Sequence, residues 1–95
     1  MSKADIISTI INYLKQYKVK EIGIFGSFVR DEMTDTSDID VLVDYPRGIT
    51  LFDVVKMKLE LEEMIGRKVD LVSKNAVRKR IMDYIAKDLQ TVYRA

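Results

Sequence analysis

Residues 38–44 read Asp38-Ile39-Asp40-Val41-Leu42-Val43-Asp44. The stretch alternates at first and then becomes continuously apolar, which is the pattern of a strand buried on both faces. The neighbouring elements fall into place around it. Upstream, Val19-Lys20-Glu21-Ile22-Gly23-Ile24-Phe25 is β-branched and ends on an aromatic, a second strand. Gly26-Ser27 breaks it, a short helix is expected from Ser27 to about Glu32, and Met33-Thr34-Asp35-Thr36-Ser37 is loop chemistry. Nearer the start, Ser2 caps a helix over residues 3–16, with Asp5 three residues later and Ile6, Ile7, Ile10, Ile11 and Leu14 at helical spacing. Downstream, Pro46 and Gly48 end the central strand. Thr50 then caps a helix over 51–65, with Asp53 in its first turn and Gly66 as its stop. Leu51, Val54, Val55, Leu61 and Ile65 form its expected apolar face, interrupted by Lys58 and Glu62. Lys68-Val69-Asp70-Leu71-Val72 is a third strand. Asn75 opens a last helix with Val77, Ile81, Tyr84, Ile85 and Leu89 on one side. The expected order is αβαβαβα: an α/β (α+β) chain with a small mixed sheet of three or more strands flanked by helices.

The chain has 95 residues, 47% hydrophobic and 33% charged, the profile of one soluble globular domain over 1–95. There is no cysteine and no histidine. Disulfides, thiol nucleophiles and thiolate metal sites are excluded, as are the usual general base and the commonest zinc ligand. Chemistry must come from carboxylates, Lys, Arg, hydroxyls or backbone. The first residues carry no secretory signal, and no apolar run approaches the ~20 residues of a membrane span, so a cytoplasmic, membrane-free chain is expected. The formal net charge of +1 conceals an asymmetry. Residues 1–20 carry +3, residues 21–73 carry −6 from six basic and twelve acidic side chains, and residues 74–95 carry +4. An acidic middle between basic ends is not the net basic balance of a nucleic-acid binder. It suits a cation held in the middle and a basic end facing an acidic partner, or simply solvated helix faces.

The chemistry concentrates in Gly26-Ser27-Phe28-Val29-Arg30 and Ser37-Asp38-Ile39-Asp40. Side chains two apart on a strand leave the same face with Cα atoms ~6.6–7 Å apart. Two carboxylates ~5 Å apart repel by roughly 3 kcal/mol at an effective dielectric of ~20. A hard divalent cation turns that repulsion into attraction, and Mg²⁺ is typically held by one or two carboxylates plus substrate phosphates. The alternative is an acidic turn leading into a strand. Asp70, inside Val69-Asp70-Leu71-Val72, is the third candidate ligand if its strand neighbours that of Asp38 and Asp40; otherwise it lies on a solvent-exposed face. Gly26 lets a ligand approach the backbone closely, the helix start expected after it favours phosphate, and Ser27 adds a hydroxyl. Arg30, one turn on, pairs either with phosphate or with an acidic neighbour. Gly26, Ser27 and Arg30 are thus nucleotide-binding candidates.

Gly26-Ser27-x-x-Arg30 with Ser37-Asp38-x-Asp40, ten residues separating Ser27 from Asp38, resembles the signature of the DNA polymerase β-like nucleotidyltransferase superfamily. More narrowly, the chain resembles the minimal nucleotidyltransferase (MNT) antitoxins that occur beside HEPN-domain toxins. The likeness covers essentially the whole chain: leading helix, Gly-Ser turn, D-x-D strand, middle helix and a strand with the third Asp. It implies transfer of a nucleoside monophosphate from ATP with two Mg²⁺ ions, Asp38, Asp40 and Asp70 being both catalytic and metal-binding. Asp70 would also be a candidate general base, and Gly26 and Ser27 would hold the triphosphate. It further implies an acceptor supplied by a partner, a tyrosine of a cognate HEPN ribonuclease that adenylylation silences, and leaves a homo- or hetero-oligomer open. Two metals clamping an in-line displacement need no His or Cys, which agrees with the composition. The alternatives are an antitoxin that neutralises its partner by binding alone, an enzyme that modifies a small molecule, and a metal-binding or structural module.

Overall fold

Both long helices begin with a reciprocal cap written into the sequence. In the computed structural model, which describes residues 1–32 and 37–95, helix α1 spans Lys3–Leu14. Ser2 Oγ accepts from the Asp5 N–H at 3.1 Å, and the Asp5 carboxylate accepts from the Ser2 N–H at 3.2 Å. Those bonds hold the Asp5 carboxyl below its ordinary pKa. A 3₁₀ turn, Lys15–Tyr17, ends on Lys18 at φ 60°, so the regular helix stops two residues short of the expected 16. Helix α2 spans Leu51–Ile65 with the same box from Thr50 and Asp53, and Gly66 closes it at φ 76°.

The strands are β1 (Glu21–Phe25), β2 (Ile39–Asp44), β3 (Val69–Ser73) and β4 (Gln90–Arg94), in the sheet order β3-β2-β1-β4. β2 runs parallel to β3 and antiparallel to β1, and β1 is antiparallel to β4. The sheet is therefore mixed, with four strands. Helices α1 and α2 cover one face, where Ile6, Ile10, Leu14, Met57, Leu61 and Ile65 meet Ile22, Ile24, Ile39, Val41, Val43 and Val69. Tyr13 Oη donates to Glu60 Oε1 at 2.5 Å and ties the two helices together at the rim of that core. The opposite face carries a smaller cluster of Phe25, Leu42 and Ile85, the last from helix α3 (Lys79–Ile85). Leu42 is buried under α3 while Val41 and Val43 are buried under α1 and α2, which bears out the strand read as buried on both sides. No helix among the described residues is long and apolar enough to cross a membrane.

Three expectations need correction. The helix expected over Ser27–Glu32 is a single 3₁₀ turn, Gly26–Phe28, followed by turn residues. Residues 33–36 of the expected loop lie outside the described residues. The apolar stripe of α2 runs through Val54, Met57, Leu61 and Ile65, whereas Leu51 and Val55 are 78% and 48% exposed. The last segment is not one helix. α3 is only seven residues, Ile81 and Tyr84 are exposed, and the chain turns at 86–88 to form β4. The order is therefore αββαβαβ. The added strand covers what would otherwise be the open edge of β1. Gly23 makes room for it: a Cβ there would stand 2.6 Å from Leu89 Cδ1.

Candidate active site

The parallel register of β2 and β3 places Asp40 directly beside Asp70. Neighbouring strands lie ~4.8 Å apart, so two carboxylates at one register position on one face are held together by the backbone ladder. The face is the one that also carries Leu42 and Val72, beneath α3. Asp38 lies just before β2, with the Ile39 N–H donating to the Lys68 carbonyl at 2.9 Å as the two strands begin. Asp38 and Asp70 are exposed and Asp40 is half-buried. The Asp40 carboxyl is pushed above its ordinary pKa, first by burial and then by the charges of Asp70, Asp38 and Asp88, while Arg30 opposes the shift.

Gly26 ends β1 opposite this pair, since Phe25 is the antiparallel partner of Asp40. It sits at φ +80°, and a Cβ on it would collide with Asp40 Oδ2. Glycine is required here twice over, by the left-handed backbone and by the carboxylate lying against it. Its carbonyl accepts from the N–H groups of Val29 at 3.1 Å and Arg30 at 3.2 Å, and the Ser27 carbonyl accepts from the Glu32 N–H at 3.0 Å. The turn is thus pinned, with Ser27 half-buried at its centre. Arg30 turns to acidic neighbours, the second of the two options its sequence position offered. It bonds Glu32 through Nε and donates from Nη1 to Asp88 Oδ2 at 2.5 Å.

The sequence-predicted residues Gly26, Asp40 and Asp70 thus come together, with Asp38 at the strand entrance and Ser27 and Arg30 on the adjoining turn. Among the described residues no three acidic side chains converge as a ready-made chelate. The donor set nevertheless fits a hard divalent cation. It is all oxygen, it lies on one face, and mutual repulsion disfavours the ionised form of Asp40, a cost a cation would relieve. Asp88 was missed at the sequence level. Its only signal is that it is one of two acids, with Asp83, in a basic segment, beside the Leu89 that docks on the sheet.

The chain has relatives among known proteins. Residues 7–92 match the family described as Nucleotidyltransferase domain. A candidate protein adenylyltransferase of Methanocaldococcus jannaschii is 41% identical over 85 residues, 90% of this chain and 91% of that protein. Protein adenylyltransferase MntA of Thermococcus cleftensis is 35% identical over 75 residues, 79% of this chain and 76% of that one. The fold is shared with a chain in the solved complex of a tri-AMPylated Shewanella oneidensis HEPN toxin with an MNT antitoxin. There the TM-score is 0.81 at 18% identity, covering 99% of this chain and 74% of that one.

Proposed function

The chain belongs to the nucleotidyltransferase domain family, and we propose that it is a protein adenylyltransferase serving as an antitoxin, transferring AMP from ATP to a tyrosine of a HEPN ribonuclease partner. The observation that carries this reading is the register that sets Asp40 against Asp70, with Gly26 packed on Asp40. The relatives named as adenylyltransferases and the AMPylated toxin in the matching complex support a protein acceptor of the HEPN class.

The division of labour follows from position. The turn Gly26–Phe28 receives the triphosphate, because a residue without a side chain leaves its backbone open beside the carboxylates. Asp38, Asp40 and Asp70 would hold Mg²⁺, which when bound neutralises charge on the polyphosphate. Asp70, exposed at the rim, takes the proton of the attacking tyrosine hydroxyl. The tyrosine oxygen bonds to the α-phosphorus as the bond to the β-phosphate oxygen breaks, and pyrophosphate leaves. In-line transfer asks the protein for positioning and charge stabilisation, which a rigid strand pair and a pinned turn provide.

The test is incubation of the chain with α-labelled ATP, Mg²⁺ and a HEPN protein encoded beside it, followed by mapping of the label. Label on a tyrosine, absent with Asp38→Asn or Asp40→Asn and absent in EDTA, is the expected result. Neutralisation of the toxin with no label incorporated would instead establish an antitoxin that acts by binding alone.

A further inference from the structure

The C-terminal segment reaches into the site at one point. Asp88, in the turn between α3 and β4, is mostly covered and accepts from Arg30 Nη1 at 2.5 Å. Its place is fixed from three directions. The Asp88 N–H donates to the Ile85 carbonyl at 3.3 Å. Leu89 fills the space that Gly23 leaves open. Ile85, on the other side, is buried against Phe25 and Leu42. Arg30 in turn stands on the turn that Gly26 opens, near enough to Asp40 to act on its charge. With Glu32 on Nε and Asp88 on Nη1, two edges of the guanidinium plane are tied, while the side chain as a whole remains about half exposed. A guanidinium is a planar fork that presents its remaining N–H groups in a fixed direction once two edges are held.

We propose that Asp88 is a positioning residue for nucleotide binding: it holds Arg30 so that the free edge of the guanidinium is already aimed at the polyphosphate of the incoming nucleotide. The inference rests on the nucleotidyltransferase reading of the Gly26–Phe28 turn. An unanchored arginine has to be ordered at the moment of binding, and ordering one long side chain costs about two- to tenfold in affinity. Asp88 meets that cost during folding. A β- or γ-phosphate contact needs this preorganisation, whereas a nucleoside monophosphate, lacking those phosphates, does not.

The experiment is calorimetric titration of AMP-PNP and of AMP, each with Mn²⁺, into the wild-type chain and the variants Asp88→Ala, Asp88→Glu, Arg30→Ala and Arg30→Ala with Asp88→Ala. Thermal melting confirms that each variant is folded. Asp88→Ala should weaken AMP-PNP about two- to tenfold and AMP hardly at all, and Asp88→Glu should recover most of the loss. In the Arg30→Ala background, removing Asp88 should cause no further loss, because its favourable effect on binding runs through Arg30. Unchanged or tighter AMP-PNP binding by Asp88→Ala overturns the proposal, the latter by showing that Asp88 competes with phosphate for Arg30. An equal loss for AMP, or a loss that persists without Arg30, overturns it in favour of a structural role. A wild-type chain that binds neither nucleotide removes the nucleotidyltransferase reading itself, and is told apart from the other failures because no variant is needed to see it.

Discussion

The two faces of the sheet are built for different purposes. Under α1 and α2, the described residues include sixteen buried side chains from Ile6 to Val69 in one cluster, whereas under α3 only Phe25, Leu42 and Ile85 are fully covered. The thick face is apolar from end to end. The thin face breaks off where Asp40 and Asp70 meet, and beyond them lie the Gly26 turn and Arg30. A carboxylate placed under the thick face would be deeply desolvated and would lose its charge. On the thin face Asp40 is covered enough for its electrostatics to be strong, yet it remains open to a ligand. Stability and chemistry are thus divided between the two sides of a single strand, β2, residue by alternate residue.

The sharpest way to test that division is Asp40→Asn. Transfer should fall by orders of magnitude while the fold persists. The stability change has a definite sign. The folded-state pKa of Asp40 is raised, so the native chain binds the proton more readily than the unfolded chain, and stability falls as pH rises through that value. The ionised group therefore costs stability at neutral pH, and that cost vanishes on acidification. Asp40→Asn should melt a few degrees above the wild type at pH 7, with the gap closing as the pH drops below the raised pKa. A variant that melts lower at pH 7 would mean the carboxylate supports the fold, and the two faces would not be separate.

Truncations in the two cores should differ. Leu61 is fully buried within the thick cluster, so Leu61→Ala should lose stability toward the upper end of ~2–5 kcal/mol. Ile85 is just as covered but belongs to the three-residue cluster beside partly exposed neighbours that can close in. Ile85→Ala should fall toward the lower end of that ~2–5 kcal/mol range, while loosening α3 above the site and weakening nucleotide binding. Chemical denaturation of both variants provides the comparison, and equal losses would erase the contrast.

Gly26→Ala lies between the two kinds of effect. The left-handed backbone costs an L-residue about 1–2 kcal/mol, and the new methyl must push the Asp40 carboxylate aside. Affinity for ATP should drop together with stability, and circular dichroism should show unchanged secondary structure. Full ATP affinity in this variant would reduce the turn to a connection between strands.

These contrasts also show which features the sequence made legible. The reciprocal caps at Ser2 and Asp5 and at Thr50 and Asp53, and the stop at Gly66, are local devices with a fixed spacing, and all stand as expected. The convergence of Asp40 with Asp70 was conditional, because which strands become neighbours depends on topology rather than on either segment. The final strand was hidden for a different reason. Val77, Ile81, Ile85 and Leu89 keep helical spacing across the turn at 86–88, so periodicity alone cannot see where α3 ends. The α2 stripe holds at Val54, Leu61 and Ile65, but spacing alone leaves out Met57 and admits Leu51 and Val55, whose surfaces are uncovered. Asp88 follows from the same omission: without β4 there is no turn to bring it to Arg30.

The smallest effect belongs to the outer surface of the thin face. Arg78, Lys79 and Lys87 are exposed, in a segment 74–95 that carries +4. Exposed charge of one sign speeds encounter with an oppositely charged surface, and the gain fades as salt screens it over a Debye length of ~10 Å at 0.1 M. Arg78→Glu with Lys79→Glu should slow association with the proposed HEPN partner severalfold at low ionic strength and hardly at all at high ionic strength, leaving the dissociation rate near its wild-type value. Melting should hold or rise slightly, for two reasons. Exposed charges contribute little to stability. Arg78 is also the N-cap of α3 and Lys79 its first residue, where the helix dipole favours an acid over a base. Surface plasmon resonance across a salt series reads both rates. An association rate indifferent to the reversal and to salt would make this helix surface a solvated boundary, and the thin face would then end at the carboxylates.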